Sequence, residues 1–124
     1  MQAGLRQLYR RAEVVVVPVI ESGMPAGITT LLEAMSMGKA VIVTETSELR
    51  GVVQHGETGL VVKPGDVREM RAAIRSLMAS PSTRQIFGSA ARKVAVERYD
   101  VNVYAASLAR QLTDVCSLRR VQRP

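Results

Sequence analysis

Four consecutive valines, Val14-Val15-Val16-Val17, constrain this chain more than any other stretch. Their β-branched side chains are stiff at χ1 and suit extended backbone. A strand with one wet face would alternate apolar and polar residues, and this run does not alternate. It predicts a strand buried on both faces, as in a parallel sheet covered by helices. Pro18 ends or edges it.

The rest of the chain supplies what such a sheet needs. Leu5, Leu8, Tyr9 and Ala12 have helical spacing ahead of the first strand. A loop from Ile20 to Ala26 carries Ser, Gly and Pro, and a helix is expected from about Gly27 to Met37, closed by Gly38. Ala40 to Thr44 and Leu60 to Val62 read as further strands, the latter stopped by Pro64-Gly65. Ser47 to Gln54 reads as a short helix, and His55 to Gly59 as a turn cluster. Beyond Gly65, Asp66 and Glu69 are spaced as a capping box, and Val67, Met70, Ile74, Leu77 and Met78 repeat on one helical face. Ser80-Pro81-Ser82 breaks that helix. Two more are expected, from about Ser82 to Glu97 and over 101–118, followed by a basic tail over 119–124.

Strands alternating with helices predict an α/β fold: a Rossmann-like, three-layer parallel sheet with helices on both faces. Residues 1–124 form one domain on this reading. Three strands make a small sheet for this class, so the chain reads as the back half of a larger α/β domain.

Composition narrows the function. The sequence is 47% hydrophobic but only 3% aromatic, so aliphatic residues and six Met must fill the core. The longest apolar run, Val14 to Ile20, is strand-sized, too short to span a membrane. The N-terminal MQAGLRQLYRR lacks the apolar core of a signal peptide. The single Cys116 forms no internal disulfide and fits a reducing, cytoplasmic setting.

The formal charge of +6 suggests either an anionic partner or a solvated basic surface. Arg6, Arg10 and Arg11, and then Arg110, Arg119, Arg120 and Arg123, read as solvated helix faces. Peripheral contact with anionic lipid heads is the functional alternative. Nucleic acid is not expected, because Tyr9, Phe87, Tyr99 and Tyr104 are scattered and build no stacking platform. Phe87, Tyr99 and Tyr104 are expected to pack the terminal helices. His55 is the only histidine and has no Cys or acidic cluster around it, so no metal site is expected.

Glu33 stands out. It is the one acidic residue in MPAGITTLLEAMSMGKAVIVT, among Leu31, Leu32, Ala34 and Met35. Ligands of open parallel sheets bind beyond the carboxyl ends of the strands, where the loop from Val19 to Ala26 must lie. The helix that follows points free N–H groups at the same place and favours an anion such as phosphate. Gly27 permits close approach, and Thr29 and Thr30 offer hydroxyls. Glu33 lies six residues on, roughly 9 Å along the axis, where a carboxylate can reach the sugar of a nucleotide. The competing reading is an ordinary exposed position of an amphipathic helix. Thr44 and Ser47, after the second strand, are weaker contact candidates, and Ser47 reads more readily as an ordinary helix cap.

These segments resemble a known family. Leu-Leu-Glu-Ala-Met-x-x-Gly-Lys-x-Val-Ile at Leu31–Ile42, then Gly-x-x-Gly-Leu-x-Val-x-Pro-Gly-Asp at Gly56–Asp66, is similar to the C-terminal, donor-binding domain of GT-B retaining glycosyltransferases. The likeness runs from about Leu8 to Leu112. It implies a nucleotide-diphosphate-sugar donor, no cofactor and no metal. The family's Glu-x7-Glu signature places its second, ribose-binding Glu on Glu33. Its diphosphate-binding backbone falls on Gly27, Ile28 and Thr29. The first Glu, which contacts the transferred sugar, is Pro25 here, and Glu21 is the acidic residue nearest to replace it.

The resemblance identifies no catalytic residue. It also implies that the phosphate-binding Arg and Lys, and an N-terminal acceptor domain, lie outside these residues, so the chain alone is expected to be inactive. Two alternatives of the same fold are a non-catalytic nucleotide-binding module and an interaction module that dimerises through an exposed sheet edge.

Overall fold

The computed structural model describes residues 3–24 and 26–121. Strands β1 (Val14–Val17), β2 (Ala40–Thr44) and β3 (Gly59–Val62) form a three-stranded parallel sheet in the order β1-β2-β3. Val14 pairs with Ala40 and Val17 with Val43. Across the next ladder, Val41 pairs with Gly59 and Thr44 with Val62.

Alternation along the strands sorts side chains into two layers. Val15, Val17, Val41 and Val43 face α1 (Ala3–Arg11) and α2 (Ile28–Ser36), where they meet Tyr9, Leu31, Ala34 and Met35. Val14, Val16, Ala40, Ile42 and Val62 face α3 (Val67–Ala79), chiefly Ala73 and Leu77. Helix α4 (Pro81–Tyr99) serves both layers, placing Phe87 in the second and Ala91 and Ala95 in the first. The expected helix-sheet-helix layering is therefore present. The expected double burial is complete only in β2, where all five residues are buried. In β1 only Val17 is buried, because among the described residues β1 pairs on one edge alone.

The caps that position α2 and α3 are local. At the end of α2 the Lys39 N–H reaches the Ala34 carbonyl (3.0 Å) and the Gly38 N–H reaches that of Met35 (2.9 Å). That pairing is a Schellman cap, and Gly38 supplies the left-handed backbone at φ 68°. At the start of α3 an Asp66 carboxylate oxygen accepts the Glu69 N–H at 2.9 Å. The reciprocal half of a capping box is not made, because the Glu69 carboxylate accepts from the Lys63 N–H instead (2.8 Å).

Four expectations need correction. Ser47 to Gln54 is not a helix but a series of turns, with Leu49, Val52 and Val53 drawn into the core. On α3 the buried face narrows to Ala73 and Leu77 with Met70 and Ile74 beside them, and Val67 and Met78 are exposed. On α1 only Tyr9 is buried, and Leu5 and Leu8 face outward. The last helix, α5 (Val101–Val121), packs against α4 and continues past residue 118. Its Tyr104 is 66% exposed, so Phe87 alone of the aromatics assigned to the terminal helices reaches a core layer.

Candidate functional site at the carboxyl edge of the sheet

The segment after Val17 turns at the carboxyl ends of the strands and enters α2 through Gly27. Gly27 has a left-handed backbone (φ 77°), and a β-carbon there would lie 2.8 Å from Cγ1 of both Val17 and Val19. Only glycine suits both conditions. Its carbonyl accepts the first helical bond, from Leu31 N–H at 2.9 Å. Helix geometry leaves the N–H groups of Ile28, Thr29 and Thr30 without intrahelical acceptors, and the first turn carries no acidic side chain to occupy them.

Helical spacing separates two faces of α2. Leu31, Ala34 and Met35 are buried, whereas Thr29, Thr30 and Ser36 are exposed and Glu33 is half-buried among them. Thr29 and Glu33 are one turn apart on the outer stripe. The Glu33 carboxylate is held from a distant part of the chain. The Tyr9 hydroxyl donates to Glu33 Oε2 at 3.0 Å and lies 3.4 Å from the Thr30 carbonyl. Burial pushes the Tyr9 phenol pKa above its usual value, and the bond to the Glu33 carboxylate adds to the rise.

Glu21 is engaged elsewhere. Its carboxylate accepts from the Ser47 N–H (3.1 Å) and from the Ser47 hydroxyl. These two bonds, hydroxyl first, hold its pKa below the usual carboxylate value. Ser47 thus anchors the segment after β1 rather than capping a helix. Thr44, 5% exposed, donates its hydroxyl to the Val19 carbonyl and fixes the same segment from β2. Pro25 lies outside the described residues.

Two hollows border this edge. One, of about 190 Å³, is lined by Thr44, Glu45, Arg50 and His55. The other, of about 220 Å³, is lined by Pro18, Val19, Ile20, Lys63 and Val67. Neither is lined by Glu33 or by the first turn of α2. His55 Nδ1 lies 3.0 Å from the Val61 backbone nitrogen and 3.1 Å from the Val61 carbonyl oxygen, which ties the ring to the backbone of β3. Among the described residues no group of His, Cys, Asp or Glu is arranged to hold a metal.

The sequence candidates Gly27, Ile28, Thr29 and Glu33 thus share one helix, with Glu21, Thr44 and Ser47 joined to one another through the neighbouring loops. Tyr9 was not among those candidates. Helical spacing points it toward the core, but nothing local indicates a partner 24 residues away.

These features define a Rossmann-like, three-layer α/β unit with the architecture of a GT-B glycosyltransferase domain. The chain belongs to the family described as glycosyl transferases group 1, whose model matches residues 2–94. It is 34% identical over 99 residues to the sulfoquinovosyl transferase SQD2 of Arabidopsis thaliana, covering 77% of this chain and 19% of that protein. It is 33% identical over 108 residues to a phosphatidyl-myo-inositol mannosyltransferase of Mycobacterium leprae, covering 87% and 28%. Among solved structures, Anabaena Alr3699/HepE in complex with UDP superposes with a TM-score of 0.82 at 25% identity, covering 91% of this chain and 30% of that one. The chain therefore spans less than a third of the length of each of these relatives.

Proposed function

We propose that this chain is the donor-site part of a retaining glycosyltransferase. It binds a nucleotide-diphosphate sugar, and the glycosyl group passes to an acceptor with its anomeric configuration kept. One observation carries the reading: the half-buried Glu33 carboxylate sits on the outer stripe of α2, whose first N–H groups, at Ile28 and Thr29, have no intrahelical acceptors. An anion at the helix start and a hydroxyl acceptor about 9 Å further along match the spacing of diphosphate and ribose. The Anabaena relative has been solved with UDP and with UDP-glucose, which supports a donor of this class.

In this reading Glu33 accepts from the ribose hydroxyls. The helix start offsets the charge that grows on the departing diphosphate, so no metal is required for that role. Glu21 holds the loop through Ser47, and it would have to leave Ser47 to touch the donor sugar. Acceptor binding, and with it turnover, falls to an N-terminal domain across the cleft, and the setting is cytoplasmic.

The test is calorimetric titration of the chain with UDP, GDP and ADP, repeated on Glu33→Ala. The expected result is binding of one nucleotide that weakens at least about tenfold, or 1.4 kcal/mol, in the variant. Binding indifferent to the substitution would overturn the site.

A second reading, a non-catalytic or dimerising module of the same fold, draws on the half-exposed β1. Light scattering that shows a dimer without nucleotide binding would favour it.

A further inference from the structure

We propose that Tyr9 is a positioning residue for Glu33: its hydroxyl holds carboxylate oxygen Oε2 and so presents Oε1 to the ribose. The inference rests on the donor-site reading above. The Tyr9 ring is 6% exposed and packs in the core layer formed by Leu31, Met35 and Val17, so its hydroxyl has a fixed place. Glu33 is only half-buried, and a free glutamate side chain has three rotatable bonds to immobilise when it binds. The phenol has one proton to give. Glu33 Oε2 at 3.0 Å is nearer than the Thr30 carbonyl at 3.4 Å and carries the charge, so the carboxylate receives it. Among the described residues no hydrogen bond reaches Oε1, which stays available to a ligand.

This arrangement does in advance what ligand binding would otherwise have to do. One oxygen is tethered to the core and the other is aimed outward, so the carboxylate meets the ribose already oriented. The competing account is that the bond merely ties α1 to α2. The two accounts differ in what the ligand senses. A tie that only stabilises the fold affects every nucleotide alike, whereas a positioning bond acts through the ribose hydroxyls.

The test uses the full chain as wild type, Tyr9→Phe and Glu33→Ala. Each is titrated with UDP and with 2′,3′-dideoxy-UDP, or with the corresponding pair for whichever base binds. Phenylalanine keeps the ring packing, and circular dichroism with thermal melting verifies that each variant is folded. The expected result is that Tyr9→Phe weakens the ribonucleotide about tenfold and leaves the dideoxy analogue unchanged. Equal weakening of both ligands, or no weakening of either, overturns the positioning role. If Glu33→Ala weakens UDP while Tyr9→Phe does not, the ribose reading of Glu33 stands and only the role of Tyr9 falls. If the folded wild type binds no nucleotide, or Glu33→Ala binds as well as wild type, both readings fall together.

Discussion

Gly88 of α4 lies directly against the backbone of Gly38, the residue that ends α2: a β-carbon built on Gly88 would sit 2.1 Å from the Gly38 carbonyl oxygen. This contact lets α4 close over α2 just ahead of β2, and it has no flexible side chain that could move aside.

Gly88→Ala is therefore expected to destabilise the chain by at least about 2 kcal/mol, despite alanine's better helix propensity. Urea denaturation measures the effect. A variant with an unchanged or raised midpoint would show that the two helices part at little cost.

Gly27→Ala is expected to damage fold and site together. Alanine at φ 77° carries backbone strain, and its β-carbon would meet the Val17 and Val19 methyls at 2.8 Å, for a total loss of about 2 to 3 kcal/mol. Shifting the start of α2 also displaces the N–H groups proposed to hold diphosphate. Nucleotide titration on variant that is still folded should show weaker binding. Wild-type stability and affinity together would refute the close-approach argument.

The Glu21–Ser47 contact predicts a pH dependence. Because Ser47 lowers the Glu21 pKa below its usual 4.5, the contact stabilises the fold above that value and loses its effect as pH falls through the lower, folded value. Glu21→Gln should melt below wild type at neutral pH, and the gap should close on acidification. Melting curves across that range measure it, and a gap constant with pH would mean the carboxylate's charge plays no part.

Much of the fold is legible in sequence because its signals are local. The strand runs, the left-handed Gly38 and the Asp66 cap each act within a few residues, and all three reappear where expected. The segment from Ser47 to Gln54 departs from the expected helix for the opposite reason. Its composition suits a helix, but Glu21, 26 residues away, takes the Ser47 N–H, and Leu49, Val52 and Val53 turn inward to fill the layer over the sheet. Tertiary contacts outweigh a weak intrinsic preference there. Arg84 likewise acts through distant partners: it joins Glu13 at 2.8 Å and caps α3 at the Leu77 and Met78 carbonyls.

The alternation of strand and helix, the glycine-opened helix at the carboxyl edge and the carboxylate at Glu33 can all be read from the residues alone, because hydrophobic period, backbone freedom and side-chain chemistry belong to individual residues and their near neighbours. That Tyr9 holds this carboxylate and that Glu21 is bound to Ser47 follows from the packed fold and not from the residues one by one. A hydrogen bond between residues more than 20 positions apart depends on how the helices and loops settle around the sheet, and no local pattern records that geometry.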